Sequence, residues 1–295
     1  MKKNIRIFAG VILSVVLLGV GCTKQITVPL NGGVPQLTVS AFINSLHKTQ
    51  TVVLSVSEPY LANTPSPAAL GGTVTIKDSK GNNFSFVDNS HTGYYSWTPG
   101  PTDSLVHVGY SYTLTVAYNG EQYQAVSKAN PVPKIDSMNA VIGPTFNPKD
   151  APSYLVSFYA TDIPNRTNYY WIQGFKNDSL INPTQVNTSI DGSMGGSAGN
   201  GLPFIYPVRT SINPKRNGGY RIGDTCFVEL HAITQETYYF FQAVATQVQN
   251  GGLFAKPPAN VGTNLVNVNP ASSVSAVGFF NVSMTSIAGI RVKAK

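Results

Sequence analysis

The chain has 295 residues, of which 42% are hydrophobic and only 11% are charged. Disordered chains are rich in charge and poor in aromatic residues, so this composition argues against intrinsic disorder. Coiled coils and helical bundles need Ala, Glu, Lys, Leu and Arg in bulk, and this chain is dominated by Thr, Ser, Val, Asn and Gly instead. An all-β class is therefore predicted.

Residues 1–22 have the layout of a secretory signal that ends in a lipid-attachment cysteine. Three basic residues in the first six positions precede an apolar run over residues 7–20, and a small residue stands directly before Cys22. The run is too short to cross a bilayer as a helix. We predict that Cys22 is acylated and becomes the first residue of the mature chain. The alternative is an ordinary secretory peptide in which Cys22 is incidental.

Removal of the signal leaves 17 basic and 13 acidic residues, a net charge of +4. Residues 23–35 are polar and rich in Pro and Gly, which predicts a tether that can reach about 45 Å. With Cys22 acylated, Cys226 is the one cysteine left and no intrachain disulfide can form. Alternation places Cys226 on one face with Val228 and Leu230, which predicts a buried, inert thiol.

Residues 36–130 contain short alternating runs between turn residues, a pattern typical of a β-sandwich. Asn119-Gly120 predicts a hairpin with a type I′ turn. The apolar faces of the predicted strands are formed by Leu37, Val39, Ala41 and Ile43, by Val52, Leu54 and Val56, by Val74 and Ile76, by Phe84 and Phe86, and by Tyr110, Tyr112, Leu114 and Val116.

Pro131-Val132-Pro133 breaks this pattern, because proline cannot donate to a strand ladder, and we predict a domain boundary there. The second domain, residues 134–295, is expected to be mainly β with one helix at about 235–249. Thr234 is the expected N-cap. The predicted strands are 154–160, 169–175, 226–231 and the tail from Val277 to Met284, and the apolar stripe of the helix is Tyr238, Phe241, Ala245 and Val248.

Several short motifs spread over the mature chain resemble one family. They are Cys22, Leu37-Thr-Val39, Val53 to Ser57, Val74-Thr-Ile76, Gly81, Gly93-Tyr94, Gly109 to Leu114, Pro131 to Asp136, Gly223-Asp224 and Asn260 to Asn264. The chain resembles the DUF4249-like family of uncharacterised outer-membrane lipoproteins of Bacteroidetes type, commonly encoded beside TonB-dependent transporters. The resemblance implies an immunoglobulin-like or prealbumin-like first domain, a mainly-β second domain and a lipid anchor in the outer membrane. Whether the protein faces the periplasm or the cell surface stays open.

Catalytic and metal-binding motifs are weak in this sequence. Residues 195–199 match the G-x-S-x-G pattern around Ser197, but a nucleophile elbow needs a strand before it and a helix after it, and this Gly-rich stretch predicts neither. His231 is expected to be a partly exposed structural histidine. No spacing of His, Cys or acidic residues predicts a metal site. We therefore predict no catalytic residues, no metal and no cofactor.

Two features could bind a partner. Arg209, Lys215, Arg216 and Arg221 lie in a segment without acids that could contact an anionic partner, or it could be a solvated turn. Aromatic pairs at Tyr95 with Trp97 and at Tyr170 with Trp171 could form an exposed platform for sugar or protein, or they could fill the core.

These observations favour a non-enzymatic, lipid-anchored outer-membrane protein that assists a TonB-dependent transporter or captures a ligand for it. A stand-alone module that binds glycans or acts as an adhesin is the alternative, and a hydrolase is a more remote one. The expected partners are the membrane, through the N-terminal lipid, a transporter, and a glycan or peptide ligand. Nucleic acid is excluded by the exported location.

Overall fold

The computed structural model describes residues 34–59, 62, 64–144, 152–193, 199–215, 219–250 and 261–294. The predicted signal, Cys22 and most of the predicted tether therefore lie outside the described residues. The strands are β1 Leu37–Asn44, β2 Gln50–Val56, β3 Thr73–Asp78, β4 Asn83–Phe86, β5 Tyr94–Trp97, β6 Ser111–Tyr118, β7 Glu121–Lys128, β8 Ile135–Ile142, β9 Tyr154–Ala160, β10 Tyr169–Lys176, β11 Ser179–Leu180, β12 Asn187–Ile190, β13 Thr225–Ile233, β14 Val266–Asn267 and β15 Ala276–Arg291. The helix α1 is Gln235–Val248, and a short 3-10 helix is Val208–Thr210.

The all-β prediction is confirmed, and alternation explains the strands. In β1 the side chains alternate strictly, with Leu37, Val39, Ala41 and Ile43 all buried, because successive side chains of a strand point to opposite faces. The hairpin between β6 and β7 turns at Asn119-Gly120, whose φ angles are 50° and 81°. Two positive φ angles define the type I′ turn that the sequence predicts.

The strands form two large sheets and one small one. The largest has the order β11-β10-β13-β15-β1-β2-β5, with β12 also paired to β10. The second has the order β14-β7-β6-β3-β4, and β8 pairs with β9. Strand β1 runs parallel to β15 and antiparallel to β2. The parallel pair joins the first strand of the described chain to the last.

The buried hydrophobic residues form two clusters. The first contains residues of both large sheets between positions 37 and 129, together with Leu265, Ala276, Phe280 and Val282. The second extends from Ile135 to Ala232 and includes Val292. The first cluster lies between two sheets and is thus the core of a β-sandwich.

The predicted domain boundary divides neither the first cluster nor the largest sheet in sequence, since both contain residues from before and after residue 131. Strands β1, β2 and β5 come before residue 131, and β10, β13 and β15 come after it. Strand β15 makes the junction, since Ala276 to Ser283 pair with β1 and Met284 to Arg291 pair with β13. The division into separate domains stays a prediction.

The helix begins as predicted, but its buried face differs. The Thr234 side chain accepts a hydrogen bond from the Thr237 N–H at 3.2 Å, which satisfies a free amide of the first turn. Thr237 and Phe241 are buried, whereas Val248 is 59% exposed. The predicted stripe through Val248 was therefore wrong at its end. No helix among the described residues is long and apolar enough to cross a lipid bilayer.

Contacts with the sheet decide which face of α1 is buried. The Phe240 ring stacks on Phe279 of β15 with centroids 4.4 Å apart. Phe241 stacks on Phe42 of β1 at 5.3 Å. The Thr237 hydroxyl donates to Asn281 Oδ1 at 2.9 Å. The helix thus turns the side that carries residues 237, 240 and 241 to the sheet, and Val248 lies beyond these contacts.

Candidate functional site

A groove of about 800 Å³ opens beside the hairpin of β10 and β11. One wall is the hairpin and the segment that follows it, and the other is Pro214 and Lys215. We call this the hairpin groove; it is lined by residues 176, 177, 179–185, 214 and 215. Its volume is within the range of small-molecule and cofactor sites.

Asparagine and aspartate shape the groove because they tolerate left-handed backbone. Asn177 and Asp178 form the turn with φ angles of 48° and 65°, and Asn182 has a φ of 47°. The Asn182 amide then joins the two walls: its Nδ2 donates to the Asn213 carbonyl at 3.1 Å, and its Oδ1 accepts the Lys215 N–H at 3.1 Å. The width of the groove is therefore set by one side chain.

The base of the groove depends on a glycine. The Ile181 N–H donates to the Gly174 carbonyl at 2.9 Å. A Cβ on Gly174 would lie 2.9 Å from Ile181 Cδ1 and 2.9 Å from Ile212 Cα. No side chain fits there without displacing main-chain atoms, so Gly174 lets Ile181 pack against Ile212.

The two lysines of the groove have different surroundings. Lys176 Nζ lies 2.8 Å from Asp224 Oδ2 and donates to the Gly219 carbonyl at 3.0 Å. Burial works to raise the pKa of Asp224, but hydrogen bonds from Lys176, Asn177 and the Arg221 N–H outweigh it and hold that pKa below its usual value. Lys176 is thus neutralised locally. The Lys215 side chain is exposed at the opposite wall.

The groove combines apolar surface with hydrogen-bonding groups. Leu180, Ile181, Pro183 and Pro214 give the apolar surface, and the amides of Asn177, Asn182 and Gln185, the hydroxyls of Ser179 and Thr184, and Lys215 give the polar groups. Convergent polar groups beside apolar walls are typical of sites for polar organic ligands. The arrangement can bind a glycan or a short peptide.

A family model described as a domain of unknown function (DUF4249) matches residues 23–286. The chain belongs to the DUF4249 family. This confirms the family drawn from the sequence motifs. No curated protein matches this DUF4249 chain.

The predicted basic residues lie against different neighbours. The Arg209 guanidinium is 5.4 Å from the centre of the Tyr159 ring, and its Nε is buried without a hydrogen-bond partner. Lys215 lines the hairpin groove, Arg221 is exposed beside Asp224, and Arg216 lies outside the described residues. The structure thus places Lys215 in a cavity.

The predicted aromatic platform is not formed as a unit. Tyr95 is 3% exposed and Tyr170 is 0% exposed, so their selection as exposed residues was wrong. The Tyr95 hydroxyl donates to the Ala69 carbonyl at 3.1 Å, and Trp97 packs edge-on against Phe84. The two pairs also lie on β5 and β10, with four strands of the largest sheet between them.

His231 is buried, and the expectation of partial exposure was wrong. On β13, His231 pairs with Trp171 of β10 on one side and with Thr285 of β15 on the other. Its Nδ1 lies 2.8 Å from Thr285 Oγ1, and its Nε2 lies 3.1 Å from Gln173 Oε1 and 3.3 Å from Glu229 Oε2. The ring stacks on Trp171 at 4.7 Å. Since His231 is 1% exposed, a substrate cannot reach this ring.

The protonation of His231 should make the stability of the protein pH-dependent. Burial lowers the pKa of His231 more than the nearby Glu229 carboxylate raises it. A histidine with a lowered folded-state pKa contributes stability above its unfolded pKa, about 6.5, and loses it as the pH falls. We expect the unfolding free energy to fall as the pH drops below about 6.5, because the unfolded chain then binds a proton at this residue before the folded protein does.

His231→Gln should flatten this pH dependence in chemical denaturation. His107→Gln, at an exposed histidine, is the matched control and should leave the slope as in the parent protein. A parent protein whose stability does not change over this range would contradict the assignment.

Sequence reasoning missed a second buried polar cluster, formed by Asp162, Asn168, Tyr170 and Asp191. The Tyr170 hydroxyl donates to Asp162 Oδ1 at 2.6 Å, and the Gly201 N–H donates to Asp162 Oδ2 at 2.9 Å. The Asn168 N–H donates to Asp191 Oδ1 at 2.6 Å. These contacts close the ends of the Gly-rich segment 191–201, of which residues 194–198, with Ser197, lie outside the described residues.

Asp162 and Asp191 could have revealed this cluster, because each is an isolated acid in the sequence and lies next to a loop. Burial raises the pKa of Asp191, opposed by the Asn168 N–H and reinforced by Asp162. Within the described residues no group of three or more His, Cys, Asp or Glu side chains could hold a metal ion. Through the bond from the Gly201 N–H to Asp162, the cluster holds the loop that follows Gly199.

Proposed function

We propose that this protein is a non-enzymatic, lipid-anchored outer-membrane protein that captures a ligand in the hairpin groove and serves a TonB-dependent transporter. The observation that carries the capture step is the groove itself, with its apolar walls, its amides and Lys215. The signal before Cys22 supports the anchor. Acyl chains contribute about 0.8 kcal/mol per buried CH₂, so two or three chains hold a protein durably.

The ligand class follows from the groove. Amide and hydroxyl side chains recognise glycan hydroxyls and peptide main chains, and the apolar surface from Leu180, Ile181 and the two prolines suits the flat faces of sugars or apolar side chains. Lys215 adds one exposed cation, since Lys176 is paired with Asp224. We therefore propose a neutral or weakly anionic glycan or peptide as the ligand.

Two exposed groove residues provide the test of capture. Leu180→Ser together with Lys215→Ser should lower binding in a glycan and peptide array by about tenfold or more, because the variant removes apolar contact and a charge from the site. Val266→Ser with Lys77→Ser also removes one exposed aliphatic side chain and one exposed lysine, at positions elsewhere, and should bind like the parent. Equal binding by the groove variant and the parent would place the ligand site elsewhere.

The anchor and the transporter are tested together. The full-length protein should incorporate labelled palmitate and recover a TonB-dependent barrel in a mild-detergent pull-down from its own outer membrane, and Cys22→Ala should abolish the label. A labelled protein that recovers no barrel but retains array binding would favour the stand-alone binding module. An unlabelled parent protein would overturn the anchor.

A further inference from the structure

An exposed apolar loop directly precedes the 3-10 helix Val208–Thr210 and follows the loop that the buried cluster around Asp162 holds. Leu202 is 54% exposed, Ile205 is 52% exposed and Tyr206 is 71% exposed, and Pro203 and Pro207 are exposed as well. We call residues 202–207 the apolar loop. Single exposed apolar side chains are common, but five exposed apolar residues among six consecutive positions are typical of an interaction surface.

The apolar loop is held from beneath by Phe204. This residue is 2% exposed, and its ring lies 5.8 Å from Phe158 and 5.1 Å from Tyr170. Its N–H donates to the Ala160 carbonyl at 2.9 Å, and the Asp162 N–H donates to the Leu202 carbonyl at 3.0 Å. The exposed side chains are thus presented on a fixed base, which lowers the entropy lost on binding.

The surroundings of the apolar loop are basic. Residues 192–223 contain no acid, and Arg209 follows the loop, with its N–H donating to the Ile205 carbonyl at 3.1 Å. Arg166 is exposed on a neighbouring segment, where the Asn200 amide donates to its carbonyl at 2.8 Å. The nearby acids, Asp162 and Asp191, are buried, at 2% and 0% exposure. Exposed apolar groups beside cations suit an anionic lipid surface.

We propose that the apolar loop inserts Leu202, Ile205 and Tyr206 into the interface of an anionic bilayer, while Arg166 and Arg209 contact lipid phosphates. Tyrosine suits this depth because its ring is apolar and its hydroxyl stays hydrated. The inference rests on the proposed membrane attachment, since a lipid at Cys22 and a tether reaching about 45 Å would keep the body close to the bilayer. Docking of the loop would then orient the body on the membrane.

Vesicle co-sedimentation tests the proposal. The protein used is residues 22–295 with Cys22→Ala, which cannot carry a lipid, so any binding comes from the protein surface. Vesicles of phosphatidylethanolamine with phosphatidylglycerol should bind it, more strongly at low salt than at high salt, and pure phosphatidylcholine should bind it less. Leu202→Ser with Ile205→Ser and Tyr206→Ser should lower the partition coefficient by about tenfold or more. Since these three side chains are exposed, the variant should retain the thermal stability of the parent.

The matched control is Tyr94→Ser with Val126→Ser and Val266→Ser, which removes side chains that are 59%, 62% and 65% exposed elsewhere on the surface. It should bind vesicles like the parent. Equal binding by the loop variant and the parent, or no binding of the parent to anionic vesicles, would overturn the proposal. Loss of a barrel from the pull-down of the loop variant, with no vesicle binding by the parent, would show that the loop contacts protein instead.

The vesicle assay contains no transporter, and the loop variant leaves the hairpin groove unchanged. A negative array or pull-down with positive vesicle binding therefore rejects the proposed function and keeps the membrane contact. Positive array and pull-down results without vesicle binding reject the membrane contact alone.

Discussion

Replacing Gly278 by alanine should destabilise the protein by about 3 kcal/mol or more, the largest effect expected of a single substitution here. Gly278 lies in β15 opposite Val39 of β1 and has a φ of +101°. A Cβ there would lie 2.0 Å from the Val39 carbonyl oxygen and 2.8 Å from its carbonyl carbon. Both are main-chain atoms, so β1 and β15, the first and last described strands, would have to move apart where they pair.

Chemical denaturation of Gly278→Ala and Gly81→Ala separates the cost of steric overlap with the main chain from the cost of a positive φ. Gly81 also has a positive φ, +94°, but nothing lies within 4 Å of a Cβ placed there. Its substitution should therefore cost only the backbone strain, about 1 kcal/mol. Similar losses for the two variants would mean that β1 and β15 do not approach as closely as described.

Asp162→Asn should destabilise the protein by about 2 to 4 kcal/mol. Asp162 accepts from the Tyr170 hydroxyl and from the Gly201 N–H through different oxygens. An asparagine keeps one neutral acceptor oxygen and presents an NH₂ in place of the other. The Tyr170 hydroxyl would then have to accept instead of donate, and the Gly201 N–H would lose its charged acceptor. The loss should appear in denaturation and as faster hydrogen exchange in residues 199–207.

Tyr170→Phe is the control for that experiment. It removes one donor and leaves Asp162 with the Gly201 N–H and the Asn168 amide, so about 1 kcal/mol is expected. Slow exchange in residues 199–207 of Asp162→Asn would show that the carboxylate does not hold the base of the apolar loop.

Local patterns in the sequence predicted most of the single elements. The alternation of Leu37, Val39, Ala41 and Ile43 gives β1, and Asn119-Gly120 gives the hairpin turn between β6 and β7, because side-chain period and φ preference act within a few residues. Thr234 predicted the start of α1 for the same reason, since the N-cap bond is made within one turn. The buried Cys226 was predicted correctly too: it is 0% exposed, and burial raises its pKa to about 11.

The candidate sites were predicted far less well. Lys215 was selected as a basic residue, but the groove beside it arises from Asn182, Gly174 and the turn at Asn177-Asp178, which have no shared spacing in the sequence. Tyr95 and Tyr170 were selected as exposed aromatics because alternation places side chains on two faces without saying which one is covered. The apolar loop likewise gave no periodic signal.

By itself, the sequence determined the β class, most strand positions, the helix with its cap, and the family. These depend on composition and on contacts between near neighbours. The tertiary structure alone decided that β15 pairs with both β1 and β13, that α1 buries Thr237 and leaves Val248 exposed, and that Leu202, Ile205 and Tyr206 are exposed. Each depends on which distant segments meet, because burial is a property of the packed neighbours and not of the residue itself.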